Sequence, residues 1–317
     1  MLMLDADTIL DCMPLTTLVD ELAALHREPI GIIDEMLMES TDADSNTNQF
    51  FIRTGWQPDK AVGAKVITIF PRNNKAAEWP SIQAVYLLFE AVNGSPVACL
   101  DGTALTWLKT AADSALGSKF LSCNNIQTML MIGAGQMAPH LVRAHCQIRP
   151  SLTRVQIWNR SIDKAQVLCA QLAADLPDIE FSTTTELEAS ARAADLICSA
   201  IGCQQPIIRG EWLKPGVHLD LVGAYTPNMR EADDDCLRRG SLFVDARETT
   251  LQQIGELMIP LASGVISEDD VLADFSDLCR QNHQGRSSED EITIFKNGGG
   301  GHLDLMCARL LHQHQLQ

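Results

Sequence analysis

Three groups of residues in this 317-residue chain have types and spacings that could do chemistry. The first is Gly133-Ala134-Gly135-Gln136-Met137-Ala138, a G-x-G-x-x-A turn. Glycine at the first position allows a tight turn, and glycine at the second lets backbone approach a pyrophosphate. A small third residue lets helix and strand pack closely, and the helix N-terminus favours phosphate charge. The second group is Asn159-Arg160-Ser161, at the end of the next apolar run, where an NAD site usually has Asp or Glu for the ribose hydroxyls. A neutral amide, a guanidinium and a hydroxyl suit a 2′-phosphate, so NADPH is favoured over NADH. The plainer reading is a polar helix start capped by Ser161. The third is a pair of lysines in apolar settings, Lys65 within Val62–Phe70 and Lys109 beside Thr110, Ala111 and Ala112. Each is a surface charge or the holder of an anionic ligand. Thr110 could donate to a cofactor phosphate or satisfy a helix carbonyl.

These groups need elements to place them. Thr128–Ile132 reads as a buried strand running into the glycine turn, and a helix follows with Pro139 in its first turn. Val155–Trp158 is the next strand, and alternating strands and helices continue to Leu242–Asp245 and Glu291–Phe295. This is the pattern of a parallel, doubly wound sheet. Upstream, a helix near Thr16–Arg27 puts Leu18, Val19, Leu22 and Leu25 on one face, and residues 40–49 read as a loop. Strands are expected at Gln49–Ile52 and Ala61–Phe70. A hairpin spans Ile82–Leu100, with Asn93-Gly94 supplying two residues at positive φ. A helix from Ala104 to Leu121 leads into the nucleotide strand, and Leu303–Leu311 forms a last helix that returns to the first domain. The fold class is therefore α/β: a Rossmann-type doubly wound nucleotide domain plus an α+β domain. The boundaries are 1–121 with 296–317, and 122–295.

Composition excludes several functions. A net charge of −17 opposes nucleic acid or an anionic membrane surface as the main ligand. No apolar run approaches membrane-spanning length, and Asp5 and Asp7 stand where a signal peptide has basic residues. Ten cysteines lie without C-x-x-C pairs, and Cys99, Cys169 and Cys198 sit in apolar runs, which reads as buried thiols in a reducing cytoplasm. His140 and His145 do not share a helix face, His312 and His314 lie in the tail, and no metal-ligand spacing is present, so no metal is expected.

Several stretches together resemble the ornithine cyclodeaminase/μ-crystallin family. They are Gly63-Ala64-Lys65-Val66 with Pro71-Arg72-Asn73, and Asp101-Gly102-Thr103 with Lys109-Thr110-Ala111-Ala112. The glycine turn, Gly223-Ala224 with Pro227, Arg230 and Glu231, and Thr293-Ile294-Phe295-Lys296-Asn297 complete the set. The resemblance implies a homodimer joined through N-terminal sheets and chemistry on cyclic imines of amino acids. It makes Lys65 the central catalytic and substrate-binding residue, with Lys109, Arg53, Tyr225 and Gly299 as further substrate contacts. Lys109 stands where the family usually has Arg, and Arg53 is the nearest match to an earlier arginine. The cofactor set it implies is Thr110, Gly133, Gly135, Gln136, Met137, Asn159, Arg160, Ser161, Ser199, Ala200, Val222, Gly223 and Lys296.

Cyclodeaminases carry an acid/base Asp at the position of Tyr225, and a phenol is a poor base at neutral pH. The reductase branch is therefore implied: NADPH-dependent reduction of a cyclic ketimine acid, Δ1-pyrroline-2-carboxylate and also Δ1-piperideine-2-carboxylate, to proline or pipecolate. Ornithine cyclodeamination with NAD, an alanine-dehydrogenase or opine-type reaction, and non-catalytic NADPH-dependent ligand binding are the alternatives. If Lys65 holds a substrate carboxylate, Lys65→Met is expected to cut catalysis while hardly moving the melting temperature.

Overall fold

The computed structural model describes residues 1–73 and 79–316. It divides into two compact units, Met1–Lys109 with Gly299–Gln317, and Thr110–Gly298. The change of unit falls inside the helix Gly102–Leu121, twelve residues before the sequence-based boundary. That helix is one continuous piece of hydrogen-bonded chain, so no loop or change of composition marks the point.

The first unit is built on a six-stranded sheet, ordered β1-β6-β5-β4-β3-β2. Its strands are β1 (Leu2–Leu4), β2 (Ile32–Thr41), β3 (Thr47–Gln57), β4 (Ala61–Ile69), β5 (Ile82–Phe89) and β6 (Pro96–Asp101). All neighbours are antiparallel except β1 with β6. The sequence reading missed β1 and β2, and the loop it placed at 40–49 shrinks to the tip of the β2–β3 hairpin, where Asp42 Oδ1 accepts from the Asp44 and Asn46 N–H groups. Nine of the ten β2 residues are exposed, so the strand lacks the alternation that would reveal it. The β5–β6 hairpin exists, but only Gly94 has positive φ. Its link is longer than a two-residue turn and is closed by the Glu90 N–H on Ser95 O and the Gly94 N–H on Glu90 O. The helix Leu15–Leu25 buries Leu18, Val19, Leu22 and Leu25, as its spacing requires. The C-terminal helix Gly301–Gln315 packs on β2 to β5 and on that helix.

The second unit is an eight-stranded parallel sheet, ordered β13-β12-β14-β11-β10-β7-β8-β9. It comprises β7 (Thr128–Ile132), β8 (Arg154–Trp158), β9 (Glu180–Thr184), β10 (Leu196–Ser199), β11 (His218–Leu221), β12 (Ser241–Val244), β13 (Val271–Ala273) and β14 (Thr293–Lys296). Alternate residues feed two apolar layers: Leu130, Ile132, Ile197 and Leu219 on one face, and Met129, Met131, Val155 and Ile157 on the other. Both faces are covered, which is why these strands read as continuous apolar runs. The three-residue β13 escaped the sequence reading for want of length.

All ten cysteines are free thiols. Cys198 is buried as expected, whereas Cys99 and Cys169 are only partly so, since an apolar run in a one-sided element still turns some side chains outward. No helix among the described residues is long and apolar enough to cross a membrane.

Candidate active site

In the first unit the β-register lines up a row of polar side chains. Glu35 of β2 pairs with Arg53 of β3, Arg53 with Lys65 of β4, and Lys65 with Tyr86 of β5. Directly paired residues share a face, so all four side chains project to one side of the sheet. The Lys65 ammonium donates to Asp304 Oδ1 at 3.1 Å and to the Thr106 hydroxyl. Lys109 Nζ lies 3.5 Å from the same Asp304 oxygen, and Lys65, Lys109 and Asp304 are all buried. Arg53 Nε lies 2.8 Å from Glu35, with its guanidinium 5.0 Å from the Phe51 ring centre. Gly299, at φ +66°, places the Cβ it lacks 3.0 Å from Lys109 Nζ, so a side chain there would crowd the ammonium.

Electrostatics follow from this packing. Burial pushes Lys65 down to about 8; Asp304 opposes the shift, while Lys109 and Arg53 add to it. Burial would raise the Asp304 carboxyl, but Lys109, Lys65 and Arg53 outweigh it and hold the group below the usual carboxylate range. His302 is buried, and burial, reinforced by His26 and Lys109, brings its imidazole down to about 3. It is therefore neutral, and neither ring nitrogen has a hydrogen-bond partner among the described residues. The second Asp304 oxygen is also buried without one among these residues.

In the second unit the glycine turn leaves β7 with Gly133 at φ +112°. A Cβ there would stand 2.8 Å from Ala200 O, so the turn and its approach to Ala200 both require glycine. A Cβ on Gly135 would meet only open space, and Gly135 and Gln136 are exposed at the start of the helix Ala138–Ile148. This is a cradle of backbone and helix N-terminus that suits a pyrophosphate. Asn159 faces inward: its side-chain oxygen accepts from the Ala134 N–H at 3.2 Å and its amide donates to Ser161 O at 2.9 Å. It pins the glycine turn and leaves Arg160 and Ser161 as the exposed groups after β8. Ser161 stands at the N-cap but makes no capping bond with its side chain.

The ends of β10 and β11 are tied by one carboxylate. Glu231 Oε1 accepts from the Ser199 hydroxyl at 2.5 Å and the Ile201 N–H at 3.1 Å, and Oε2 accepts from the Gly223 and Ala224 N–H groups at 2.6 and 3.1 Å. Glu256 in turn accepts from the Glu231 and Ala232 N–H groups. Burial lifts the Glu231 carboxyl to about 7, with Lys296 opposing and Glu256 reinforcing the rise.

The profile of the ornithine cyclodeaminase/mu-crystallin family matches residues 43–317. The chain belongs to that family. It is 44% identical over 262 residues to a Δ1-pyrroline-2-carboxylate reductase of Paracoccus denitrificans, spanning 83% of this chain and 82% of that one. The namesake enzyme of Colwellia psychrerythraea is 34% identical, with 84% of each chain covered. Among solved structures, Thermococcus litoralis Δ1-pyrroline-2-carboxylate reductase in complex with NADH and L-proline superposes with a TM-score of 0.89, at 25% identity, over 100% of this chain and 98% of that one.

Against the family-derived set, the structure gathers Lys65, Lys109 and Arg53 in one unit. It places Gly133, Gly135, Gln136, Met137, Asn159, Arg160 and Ser161 around one turn in the other. Several residues have other posts. The Ser199 hydroxyl and the Gly223 N–H are taken by Glu231, and the Val222 N–H by Ser199 O. Lys296 is fully buried, its ammonium donating to Leu221 O and Asn297 O at 2.9 Å each, so it is a strut between strand ends with no exposed charge for a phosphate. Thr110 offers its carbonyl to Asn297. Tyr225 is 58% exposed, on the loop after β11.

Sequence reasoning missed Asp304 and Glu231 as site groups. The signal for Asp304 was an acid inside the apolar run Leu303–Met306; for Glu231 it was an acid beside Arg230 in a stretch already noted for its resemblance. The fold also brings together His145, Cys198 and Asp220, which linear spacing could not reveal. All three are buried and bonded to one another, His145 and Cys198 each on Asp220 Oδ2, with Ser114 on Oδ1. Asp220 is thus satisfied by Cys198 of the neighbouring strand β10 and by His145 and Ser114 from two helices.

Proposed function

We propose that the chain reduces the C=N bond of a cyclic imino acid, Δ1-pyrroline-2-carboxylate and also Δ1-piperideine-2-carboxylate, to proline or pipecolate. The observation that carries the substrate class is the convergence of two buried ammonium groups on one oxygen of Asp304. Lys65 and Lys109 together outnumber their buried carboxylate partner, so the cluster has positive charge in reserve for a substrate carboxylate. The unpartnered Asp304 oxygen is an acceptor for the N–H of a protonated imine, whose positive charge it would stabilise. In this reading the first unit carries the substrate. The second holds the cofactor on the Gly133–Met137 turn, with Arg160 and Ser161 toward the 2′-phosphate of NADPH. A bound nicotinamide supplies the hydride. The 44% identity over 262 residues to a named Δ1-pyrroline-2-carboxylate reductase supports the same reaction.

The chain is further proposed to form a homodimer through the sheet of its first unit. The face opposite the Lys65 row exposes Ile32, Met36, Met38, Trp56 and Val85 at 44–61%, an apolar patch that a second copy would cover. Light scattering of the purified chain tests this: a dimer is expected, and a monomer at micromolar concentration overturns it.

The deciding assay follows NADPH and NADH oxidation with Δ1-pyrroline-2-carboxylate, beside ammonia release from L-ornithine. Imine-dependent oxidation without ammonia is expected. Ammonia and proline from ornithine, without imine reduction, would overturn the reading.

A further inference from the structure

We infer that the hydroxyl of Tyr86 is a hydrogen-bonding contact for the carboxylate of the imino acid. This rests on the substrate reading above and adds a neutral donor to its two cations. Tyr86 is 1% exposed, and its hydroxyl has no hydrogen-bond partner among the described residues. Leaving a buried hydroxyl unpaired is unfavourable, whereas phenylalanine would fill the same ring space without that penalty. A hydroxyl kept at such a cost has its partner outside the chain.

Its position says which partner. Tyr86 stands directly opposite Lys65 in the β4–β5 register, in the row that ends on Arg53 and Glu35. Its ring lies over Gly63, where a Cβ would come within 2.1 Å of the hydroxyl oxygen and 2.6 Å of the ring carbon that bears it. Gly63 and Lys65 are two residues apart on one strand, so they share a face. Glycine there thus leaves room for the phenol on the face that carries Lys65. The second Asp304 oxygen and the His302 ring also lack a hydrogen-bond partner among the described residues; they belong to the same unit, and Lys109 acts electrostatically on both. The Tyr86 and His302 groups thus share an electrostatic neighbour in Asp304, the carboxylate that Lys65 bonds. Burial, reinforced by Asp304 and Cys307, keeps the phenol protonated far into the alkaline range, so it is a neutral donor suited to an anionic acceptor.

The test is Tyr86→Phe in the full-length protein, assayed with Δ1-pyrroline-2-carboxylate and with Δ1-pyrroline, which lacks the carboxylate. Wild-type turnover of the carboxylate substrate is established first, since its absence would remove the substrate reading and this inference with it. With an active wild type, the variant is expected to lose about tenfold in kcat/KM for the carboxylate substrate and little for Δ1-pyrroline. NADPH affinity should hold, and the melting temperature should stay level or rise as the orphaned hydroxyl disappears. Unchanged kcat/KM, or equal losses on both substrates, would overturn the carboxylate contact while leaving the reaction assignment intact. If the variant melts well below wild type, Gly63→Ala serves as a second probe, because it displaces the hydroxyl without deleting it. The same selective loss is expected from it, and wild-type discrimination between the two substrates would again overturn the contact.

Discussion

Each unit buries a three-membered charge cluster, and the two are mirror images in sign. The first unit holds two cations and one anion, Lys65, Lys109 and Asp304; the second holds two acids and one cation, Glu231, Glu256 and Lys296. Burial moves the surplus members in opposite directions, Lys65 down and Glu231 up. The difference lies in what completes each cluster. Around Glu231 and Glu256 the deficit is met by backbone N–H groups and the Ser199 hydroxyl, so those acceptors are spoken for and the strand ends are fixed. In the first unit, buried atoms of Asp304, His302 and Tyr86 are left without a hydrogen-bond partner among the described residues. A closed cluster positions backbone, and an open one can receive a ligand.

The largest test of the comparison is Lys65→Met. Removing one of two cations from a buried carboxylate leaves Asp304 with Lys109, at 3.5 Å, as its ion-pair partner among the described residues. Breaking such a pair destabilises by about 3 kcal/mol, so the melting temperature should fall by several degrees. The sequence-based expectation of unchanged stability is thereby corrected, because the lysine serves the fold as well as the ligand. Catalysis should fall further, at least ten- to a hundredfold in kcat/KM, about the value of a charge-assisted hydrogen bond. Wild-type turnover at a lowered melting temperature would mean that the open cluster holds no substrate.

Glu231→Gln probes the closed cluster. The amide turns an N–H toward donors that the carboxylate accepts, at a cost of about 1–3 kcal/mol. The pH dependence has a fixed sign. A carboxyl raised from 4.5 to about 7 in the fold contributes stability that is full below about 4.5 and lost as pH rises through about 7. Thermal melts from pH 4.5 to 7.5 should show this decline in the wild type and a flatter profile in the variant. Equal slopes would mean that Glu231 keeps its ordinary titration and that the acid pair is not coupled to folding.

How much of this was legible beforehand differs between the clusters for a physical reason. The parallel sheet, the glycine turn and the lysines announce themselves, because apolar runs, Gly spacing and a Lys in an apolar strand are local signals. Asp304 lies 239 residues from the lysine it meets, and no pattern within a strand or helix encodes such a pairing. Lys296 illustrates the converse. Its place at the end of β14 suggested a phosphate contact, yet the strand ends converge and bury its ammonium on Leu221 O. Strand β2 was missed because both of its faces are exposed in the chain taken alone.

Arg160→Ala carries the comparison to the cofactor. Arg160 is exposed, while its neighbour Asn159 is tied to Ala134 and Ser161, so the guanidinium supplies the cation at this strand end and the exposed Ser161 hydroxyl a neutral donor. The KM for NADPH should rise about tenfold, the value of one charge-assisted hydrogen bond, with NADH unaffected. Equal losses with both cofactors would assign Arg160 to the shared part of the dinucleotide and remove the basis for the NADPH preference.

The smallest effect is expected at Tyr225, on the loop that the closed cluster anchors. Glu231 holds the N–H groups of Gly223 and Ala224, and the Gly255 N–H donates to Thr226 O at 2.9 Å, so the backbone on both sides of Tyr225 is fixed. The ring itself is 58% exposed and contributes little packing. Tyr225→Ala should therefore shift stability by no more than about 0.5 kcal/mol. Any loss of kcat/KM for the imino acid would then report a substrate contact by the ring, uncontaminated by unfolding, and a loss below tenfold is expected because the buried lysines carry the main attraction. The same position tests the reaction class. Cyclodeaminases carry an acid/base Asp where this chain has Tyr225, so neither wild type nor Tyr225→Ala should release ammonia from L-ornithine. Steady ammonia release by the wild type that survives removal of the ring would assign deamination to another group, and the open cluster around Lys65 would be the first place to look for it.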